Sequence, residues 1–161
     1  MRRRVIRHQL RHWFDPGVVF STLYGESDRA FWLDTGVTAQ TGFSYLGEGN
    51  RVVTASAATA ALVWDPPEPV QRGSTDIFEF LAERQAEGVG WADDREGGFQ
   101  LGWVGWFGYE LRARTMGTPL SGNRFLPRYP EAAWLEVLRA VEFDHVARTV
   151  TLVTMPRSPR N

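Results

Sequence analysis

The sequence predicts an α+β domain built from a largely antiparallel sheet and two or three short helices. Short aromatic, β-prone runs recur between turn residues, and two segments carry the capping signals of short helices. The chain has 161 residues, of which 43% are hydrophobic and 13% aromatic, so it can bury a core without a disulfide or a metal. We therefore expect one domain over residues 1–155 and a frayed polar tail over residues 156–161.

The beginning of the chain predicts a strand and a helix. Residues 2–14 alternate loosely between apolar and basic side chains, which suits an edge strand with a charged outer face or a basic arm. Asp15 can accept from free N–H groups and Pro16 suits a first turn, so a helix is expected over residues 16–24. Gly25 permits a left-handed residue at the end of this helix.

Four β-prone runs then predict an antiparallel meander. They lie at residues 31–35, 43–46, 51–54 and 61–64. The segment over residues 65–69 contains three prolines and cannot donate a ladder of hydrogen bonds. We therefore expect it to be an exposed connection that ends the meander.

A second helix is expected to begin at Asp76. Glu79 follows three residues later, as in a capping box with Asp in place of Ser or Thr. Ile77, Phe80 and Leu81 share one apolar face at helical spacing. This face should pack against the sheet.

The segment over residues 99–110 places five aromatic side chains among three glycines. Small residues between large ones let two backbones approach closely, so we expect the glycines to serve packing and the aromatics to fill the core. The spacing superficially resembles a glycine-rich phosphate loop. Such loops lead into a helix with free N–H groups and have a lysine nearby, and this segment lacks both. We therefore do not predict a phosphate-binding site here.

The last part of the chain predicts a terminal hairpin. After a long loop over residues 115–130, two strands are expected at 133–138 and 141–144. A turn that contains His145 then leads into a last strand at 149–153. Because the histidine lies in a turn, we expect its side chain to be solvated.

Composition narrows the possible chemistry. The chain has no cysteine, and all 18 of its basic residues are arginine, so it offers neither a thiolate nor a lysine nucleophile. The formal net charge of -1 gives no global field for nucleic acid or acidic membranes. The basic start lacks the apolar run of a signal peptide, and no apolar run could cross a membrane. We expect a cytoplasmic protein without nucleic-acid or membrane partners.

Three other groups of polar side chains are assigned no ligand. His8 and His12 stand four apart, a spacing that binds metal on a helix, but the strand-like pattern argues against a site. The acidic residues within 93–96 are interpreted as soluble surface rather than a cation site. The arginines of residues 2–11 lack a recognised nucleic-acid fold around them.

Several segments together resemble one enzyme family in their order and spacing. They are Asp15-Pro16 with Leu23-Tyr24-Gly25, then Phe31-Trp32-Leu33-Asp34-Thr35, Phe43-Ser44-Tyr45-Leu46-Gly47 and Gly102-Trp103-Val104-Gly105-Trp106-Phe107-Gly108-Tyr109-Glu110-Leu111. The family is that of the chorismate-utilising synthases, and the resemblance is to the N-terminal domain of aminodeoxychorismate synthase component I. Anthranilate synthase component I shares this domain and is the alternative. The resemblance implies half of the component I fold.

The resemblance implies a non-catalytic chain. In the family, the chorismate site, the Mg²⁺-binding glutamates and the nucleophilic lysine belong to a larger C-terminal domain, which has no counterpart here. We therefore expect no catalytic residue, metal or cofactor on this chain. The implied partners are the C-terminal chorismate-binding domain and a glutamine amidotransferase subunit, which supplies ammonia for the amination of chorismate toward p-aminobenzoate and folate.

The resemblance also implies an effector pocket that could take tryptophan or a similar molecule. Leu33 and Phe43 would wall the indole, while Thr35 and Ser44 would offer hydroxyls to the ammonium or carboxylate. Gly42 stands where the family usually has arginine. Two alternatives stay open: a freestanding small-molecule binding module that keeps this pocket, and two paired strands that only pack their aromatics into the core.

Overall fold

The computed structural model confirms the predicted α+β class, with short helices and mostly antiparallel strands. It describes residues 5–36, 40–49, 51–55, 62–64, 76–86, 98–117 and 129–156. The strands are β1 (Ile6–Gln9), β2 (Ala30–Leu33), β3 (Phe43–Glu48), β4 (Arg51–Ala55), β5 (Leu62–Trp64), β6 (Gly102–Phe107), β7 (Ala132–Val137), β8 (Arg139–Asp144) and β9 (Thr149–Thr154). The helices are α1 (Pro16–Tyr24), α2 (Ile77–Ala86), α3 (Arg112–Met116) and the 3-10 helix Tyr109–Leu111.

The chain divides into two compact units. The first unit consists of Met1–Asn50, Gly88–Gly102 and Glu136–Asn161. The second consists of Arg51–Glu87 and Trp103–Leu135. The single domain expected over residues 1–155 stays a prediction. Expectations for residues 2–4, 65–69, 93–96 and 157–161 lie outside the described part of the chain.

The first unit is built on a five-stranded antiparallel sheet in the order β1-β9-β8-β3-β2. The expected edge strand near the N-terminus is confirmed as β1, which pairs with β9 from Ile6↔Thr154 to Gln9↔Thr151. The expected terminal hairpin is confirmed as β8 and β9. In its turn, the Asp144 carboxylate accepts from two successive backbone N–H groups, each at 2.9 Å.

The two faces of this sheet have different partners. Successive residues of a strand point to opposite faces, and directly paired residues share a face. On one face, which we call the helix face, α1 packs against a buried cluster of Leu46, Val141, Phe143 and Val150. The opposite face, which we call the aromatic face, carries Phe31, Leu33, Phe43 and Tyr45 on β2 and β3.

Helix α1 begins where the capping residues predicted. The Asp15 carboxylate accepts from the Val18 N–H at 3.0 Å, and Pro16 occupies the first turn. The expected left-handed end is wrong, because Gly25 has φ -59° and ψ -28°. A Cβ at Gly25 would lie 2.5 Å from the Ser21 carbonyl oxygen, so the position needs glycine for close approach.

The second unit contains strands of a four-stranded sheet in the order β5-β4-β7-β6. The expected single meander is therefore wrong, because β2 and β3 belong to one sheet and β4 and β5 to another. The remaining edge of β3 pairs with β8, a partner from the other end of the sequence. This long-range pairing takes the place that a meander would give to β4.

Helix α2 covers the second unit's core. Its start is confirmed, since the Asp76 carboxylate accepts from the N–H groups of Phe78 and Glu79 at 2.8 and 2.9 Å. The apolar face is confirmed as well: Ile77 and Phe80 are buried. They form one cluster with residues of the sheet and of the 3-10 helix, namely Val53, Ala55, Leu111 and Ala132.

In the segment over residues 99–110, the expected packing role of glycine is confirmed, but not all of the aromatics lie in the core. A Cβ at Gly105 would collide with the Ala133 carbonyl oxygen, so glycine is needed for the strands to approach. Trp103 packs edge-on against Phe80 with ring centroids 5.2 Å apart. Trp106, Phe107 and Tyr109, expected in the core, are 44%, 43% and 73% exposed. The Phe107 ring still packs against Phe78 and Trp134, with ring centroids 5.0 and 4.9 Å away.

Two further findings concern the helices. Residues 112–116 are helical and Gly117 ends α3 with φ +63°, so the start expected for the long loop at residue 115 is wrong. Residues 118–128 lie outside the described part of the chain. Among the described residues, no helix is both long and apolar enough to cross a bilayer. The cytoplasmic location stays a prediction.

Candidate functional site

The four residues expected to line an effector pocket lie near the paired ends of β2 and β3. Leu33 and Phe43 lie on the aromatic face, and each is 41% exposed. Ser44 lies on the helix face and is fully buried. Thr35 follows β2 and is exposed, with its hydroxyl 3.4 Å from that of Ser44. The structure therefore brings Leu33 near Phe43 and Thr35 near Ser44, but on two faces of the sheet.

Ser44 is the buried centre of a polar network whose other members are exposed or half-buried. Its hydroxyl donates to the Asp34 carboxylate at 2.9 Å. Its oxygen also lies 2.8 Å from Nε2 of His145. His145 is half-buried, so the expectation of a solvated turn histidine is wrong. The buried serine hydroxyl requires partners, and His145 supplies one.

The hydrogen-bond arithmetic fixes the direction of the histidine contact. A serine hydroxyl has one proton, and here the Asp34 carboxylate accepts it. His145 must then donate its Nε2 proton to the Ser44 oxygen. A serine nucleophile needs the reverse arrangement, with the histidine as acceptor. The network therefore joins the end of β2, β3 and the β8–β9 turn, and it does not place His145 as the base of Ser44.

Aromatic contacts enclose this network. The Trp13 ring meets His145 and Phe143 edge-on, with ring centroids 5.8 and 5.6 Å away. The Arg148 guanidinium lies 3.9 Å from the centre of the Trp13 ring, in cation–π geometry. The Trp13 ring thus packs against the imidazole that contacts the Ser44 hydroxyl.

The backbone conformation at position 42 favours glycine. Its φ is +85°, a conformation that glycine adopts readily and arginine does not. Its carbonyl oxygen accepts from the His145 N–H at 3.1 Å. The backbone at this position is therefore committed to the turn, and an arginine here would be strained.

The aromatic face combines exposed rings with a charged pair. Phe43 stacks on Tyr45 with ring centroids 6.3 Å apart. Arg7 of β1 and Glu142 of β8 form an ion pair at 2.7 Å, with side chains only 12% and 5% exposed. Arg7 also donates to the Phe99 carbonyl oxygen at 2.9 Å. Apolar rings thus lie beside a pair of opposite charges, which suits an amphipathic small molecule.

Burial changes the acidity of Tyr45. Desolvation is the largest cause that raises the pKa of its phenol, and the negative charges of Glu142 and Asp144 add to it. The hydrogen bond from the Phe99 N–H to the phenol oxygen, at 3.2 Å, and the charge of Arg7 act in the opposite direction. The pKa remains above its ordinary value, so Tyr45 is neutral at physiological pH.

Sequence reasoning missed His145, Arg7 and Glu142. Their contacts join residues 101 and 135 positions apart, which no local pattern reveals. One signal was present: Glu142 stands inside the apolar strand around Val141 and Phe143, and a carboxylate in such a run needs a cationic partner. Among the described residues, no group of three or more potential ligand side chains could hold a metal ion.

The structure is thus an α+β chain with two sheets, a network centred on the buried Ser44 and a partly exposed aromatic face. No family model matches the chain. It is similar to aminodeoxychorismate synthase from Streptomyces griseus, with 28% identity over 167 residues. The alignment covers 96% of this chain but only 22% of that enzyme, so the chain spans about a fifth of its relative's length. This similarity supports a distant relationship to that enzyme over one part of its length.

Proposed function

We propose that this chain is the non-catalytic N-terminal domain of an aminodeoxychorismate synthase component I. The observation that carries the proposal is the extent of the similarity, which runs through 96% of the chain and only 22% of the Streptomyces griseus enzyme. A relationship that covers a whole chain and a fifth of a larger enzyme fits a domain of that enzyme. The proposed role is to support a chorismate-binding domain in the cytoplasm.

The chemistry of the described residues agrees with a non-catalytic role. The buried Ser44 gives its proton to Asp34 and receives one from His145, so this histidine is not placed as its base. The described residues do not fit Mg²⁺, because they include no group of three or more potential ligand side chains. In the proposed enzyme, the chorismate-binding domain would hold Mg²⁺ and carry out the amination of chorismate, toward p-aminobenzoate and folate. A glutamine amidotransferase subunit would supply the ammonia.

The gene and its neighbours provide the first test. The reading frame beyond Asn161, and the adjacent genes, should encode a chorismate-binding domain. The assembled protein should convert chorismate and ammonia to aminodeoxychorismate, while the 161-residue chain alone should not. A confirmed stop codon with no chorismate-binding domain encoded nearby, or turnover by the chain alone, would contradict the proposal.

The product distinguishes the two branches of the family. Aminodeoxychorismate retains the enolpyruvyl group of chorismate, whereas anthranilate has lost it as pyruvate. Incubation of the assembled enzyme with chorismate and ammonia, followed by assays for pyruvate and for fluorescent anthranilate, separates the alternatives. We expect neither pyruvate nor anthranilate.

A freestanding small-molecule binding module is the second candidate. It is favoured by the 41% exposure of both Leu33 and Phe43 on the aromatic face. Calorimetric titration with tryptophan tests it, because saturable binding that Phe43→Ala abolishes would support the module. Ser44→Ala separates a ligand contact from a structural one, since its hydroxyl is already bonded to Asp34. An absence of binding would leave the structural role alone.

A further inference from the structure

A short segment of the first unit, residues 98–102, lies over the aromatic face. The Phe99 ring contacts both Phe31 and Tyr45, with ring centroids 6.1 and 5.3 Å away. Gly47 leaves room for the Phe31 ring, since a Cβ there would lie 2.7 Å from that ring. Phe31 and Tyr45 thus line a slot on the aromatic face, and the Phe99 ring fills it.

Side chains of the sheet hold both polar groups of the Phe99 residue. Its N–H donates to the Tyr45 phenol oxygen at 3.2 Å. Its carbonyl oxygen accepts from the Arg7 guanidinium at 2.9 Å. Strand-to-strand ladders hold many backbone groups at once, whereas Phe99 is docked on the five-stranded sheet through its ring and two side-chain hydrogen bonds. Few bonds therefore have to break for it to leave the sheet.

The backbone of the same segment is strained at Leu101, which has φ +66°. Gly98 and Gly102 have φ +93° and +105°, which glycine adopts readily. A leucine in this region is disfavoured by the clash between its Cβ and the backbone. Leu101 is nevertheless 8% exposed, so burial of its side chain holds it there. A strained segment with few bonds to the sheet opens at a lower free energy than the strands below it.

Gly98 lies beside the charged pair of the aromatic face. A Cβ at this position would lie 3.8 Å from both the Arg7 guanidinium and the Glu142 carboxylate. Opening of the segment would therefore expose two aromatic rings together with one positive and one negative group. Such a slot suits a ligand with an aromatic ring and amide or zwitterionic groups.

We propose that residues 98–102 form a strap that opens independently of the five-stranded sheet. When closed, the strap fills the slot between Phe31 and Tyr45 with the chain's own Phe99. The slot is therefore self-occupied, and an external ring enters it only when Phe99 leaves. The inference does not depend on the proposed synthase function.

Amide hydrogen exchange followed by NMR tests the opening. In the wild-type chain, the amide of Phe99 should exchange at least about tenfold faster than those of Leu46 and Val141 in the strands beneath. Tyr45→Phe removes the acceptor of the Phe99 N–H and should accelerate its exchange further. Tyr24→Phe, the same change on the helix face, is the matched control and should leave Phe99 unchanged. Exchange of Phe99 at the rate of the strands, or no effect of Tyr45→Phe, would overturn the strap.

Small-molecule rescue tests the self-occupied slot. Phe99→Ala should empty it, and N-acetyl-L-phenylalaninamide carries the ring and both peptide groups that the slot now holds. We expect this probe to bind Phe99→Ala at least about tenfold more tightly than the wild type, by chemical-shift titration. Phe14→Ala, a change at a 45% exposed ring, should bind it no better than the wild type. Equal binding to the wild type and to Phe99→Ala, or none to Phe99→Ala, would refute the slot.

Discussion

The imidazole Nε2 of His145 lies 2.8 Å from the Ser44 hydroxyl oxygen, although the two residues stand 101 positions apart in the chain. The same hydroxyl bonds to Asp34 just after β2. One buried oxygen thus connects three segments at one end of the five-stranded sheet. The family resemblance implied a ligand contact for Ser44, which stays a prediction; in the structure the Thr35 hydroxyl also lies 3.4 Å from the same oxygen.

Loss of the Ser44 hydroxyl should destabilise the first unit. Ser44→Ala leaves Asp34 and the half-buried His145 without their shared partner, which we expect to cost about 1–3 kcal/mol of unfolding free energy. Urea denaturation measures the change. Ser21→Ala on the exposed side of α1 is the matched control and should stay within about 0.5 kcal/mol. Equal stabilities of the two variants would contradict the network.

The tautomer of His145 should be the one protonated at Nε2. Ser44 gives its proton to Asp34, so the histidine has to be the donor at that nitrogen. Long-range ¹⁵N–¹H correlation spectra at about pH 8 distinguish the two neutral tautomers. His8, which is exposed, provides the reference spectrum. A dominant Nδ1-protonated form of His145 would reverse the proposed direction of the bond.

Arginine at position 42 should be unfavourable here, although the family usually has it. Gly42 has φ +85°, and a Cβ there would lie 3.0 Å from the Thr35 methyl group. We expect Gly42→Arg to lower the unfolding free energy by about 1–2 kcal/mol. Thr41→Arg adds the same charge at the neighbouring exposed position and should have little effect. Thermal melts of both variants test this. An unchanged melting temperature in Gly42→Arg would contradict the prediction and show that the turn can rearrange.

Tyrosine ionisation should dominate the loss of stability at high pH. Burial raises the pKa of Tyr45 and of Tyr24 above the ordinary value near 10, and nearby carboxylates add to the effect. The neutral phenols are favoured by folding, so this stability is complete below the unfolded pKa and is lost as pH rises through the folded one. The chain has no lysine or cysteine to titrate in the same range.

Urea denaturation between about pH 8 and pH 12 measures this alkaline dependence. Tyr45→Phe and Tyr24→Phe should each make the decline shallower. Tyr109→Phe, at a 73% exposed side chain, should not. If the unfolding free energy declined just as steeply in Tyr45→Phe and Tyr24→Phe, groups other than these two phenols would be responsible.

The sequence predicted local features better than distant ones. Asp15 and Asp76 revealed both helix starts, because a cap and its partners lie within three residues of one another. The division of strands between two sheets was missed, because β3 pairs with β8 across most of the chain. The contact between His145 and Ser44 was missed for the same reason, because the two residues stand 101 positions apart. Trp106 was placed in the core on composition, but exposure depends on the edge position of β6, which no local pattern contains.

The buried ion pair between Arg7 and Glu142 should matter far more than an exposed one. Arg7→Met removes the cation that lies 2.7 Å from a 5% exposed carboxylate, which we expect to cost about 3–5 kcal/mol. The second change Glu142→Leu should recover part of this loss, because it removes the buried negative charge. The pair Arg139–Glu48, with side chains 67% and 34% exposed, is the control.

Removal of the Arg139 side chain should cost at most about 1 kcal/mol, because water screens an exposed pair and side-chain entropy offsets its attraction. A double-mutant cycle for each pair, measured by urea denaturation, gives the two coupling free energies. Equal couplings would mean that Glu142 finds water or another partner when Arg7 is removed. A large coupling for Arg7 and Glu142 alone would establish that the charges of the aromatic face are held by each other, beneath the closed strap.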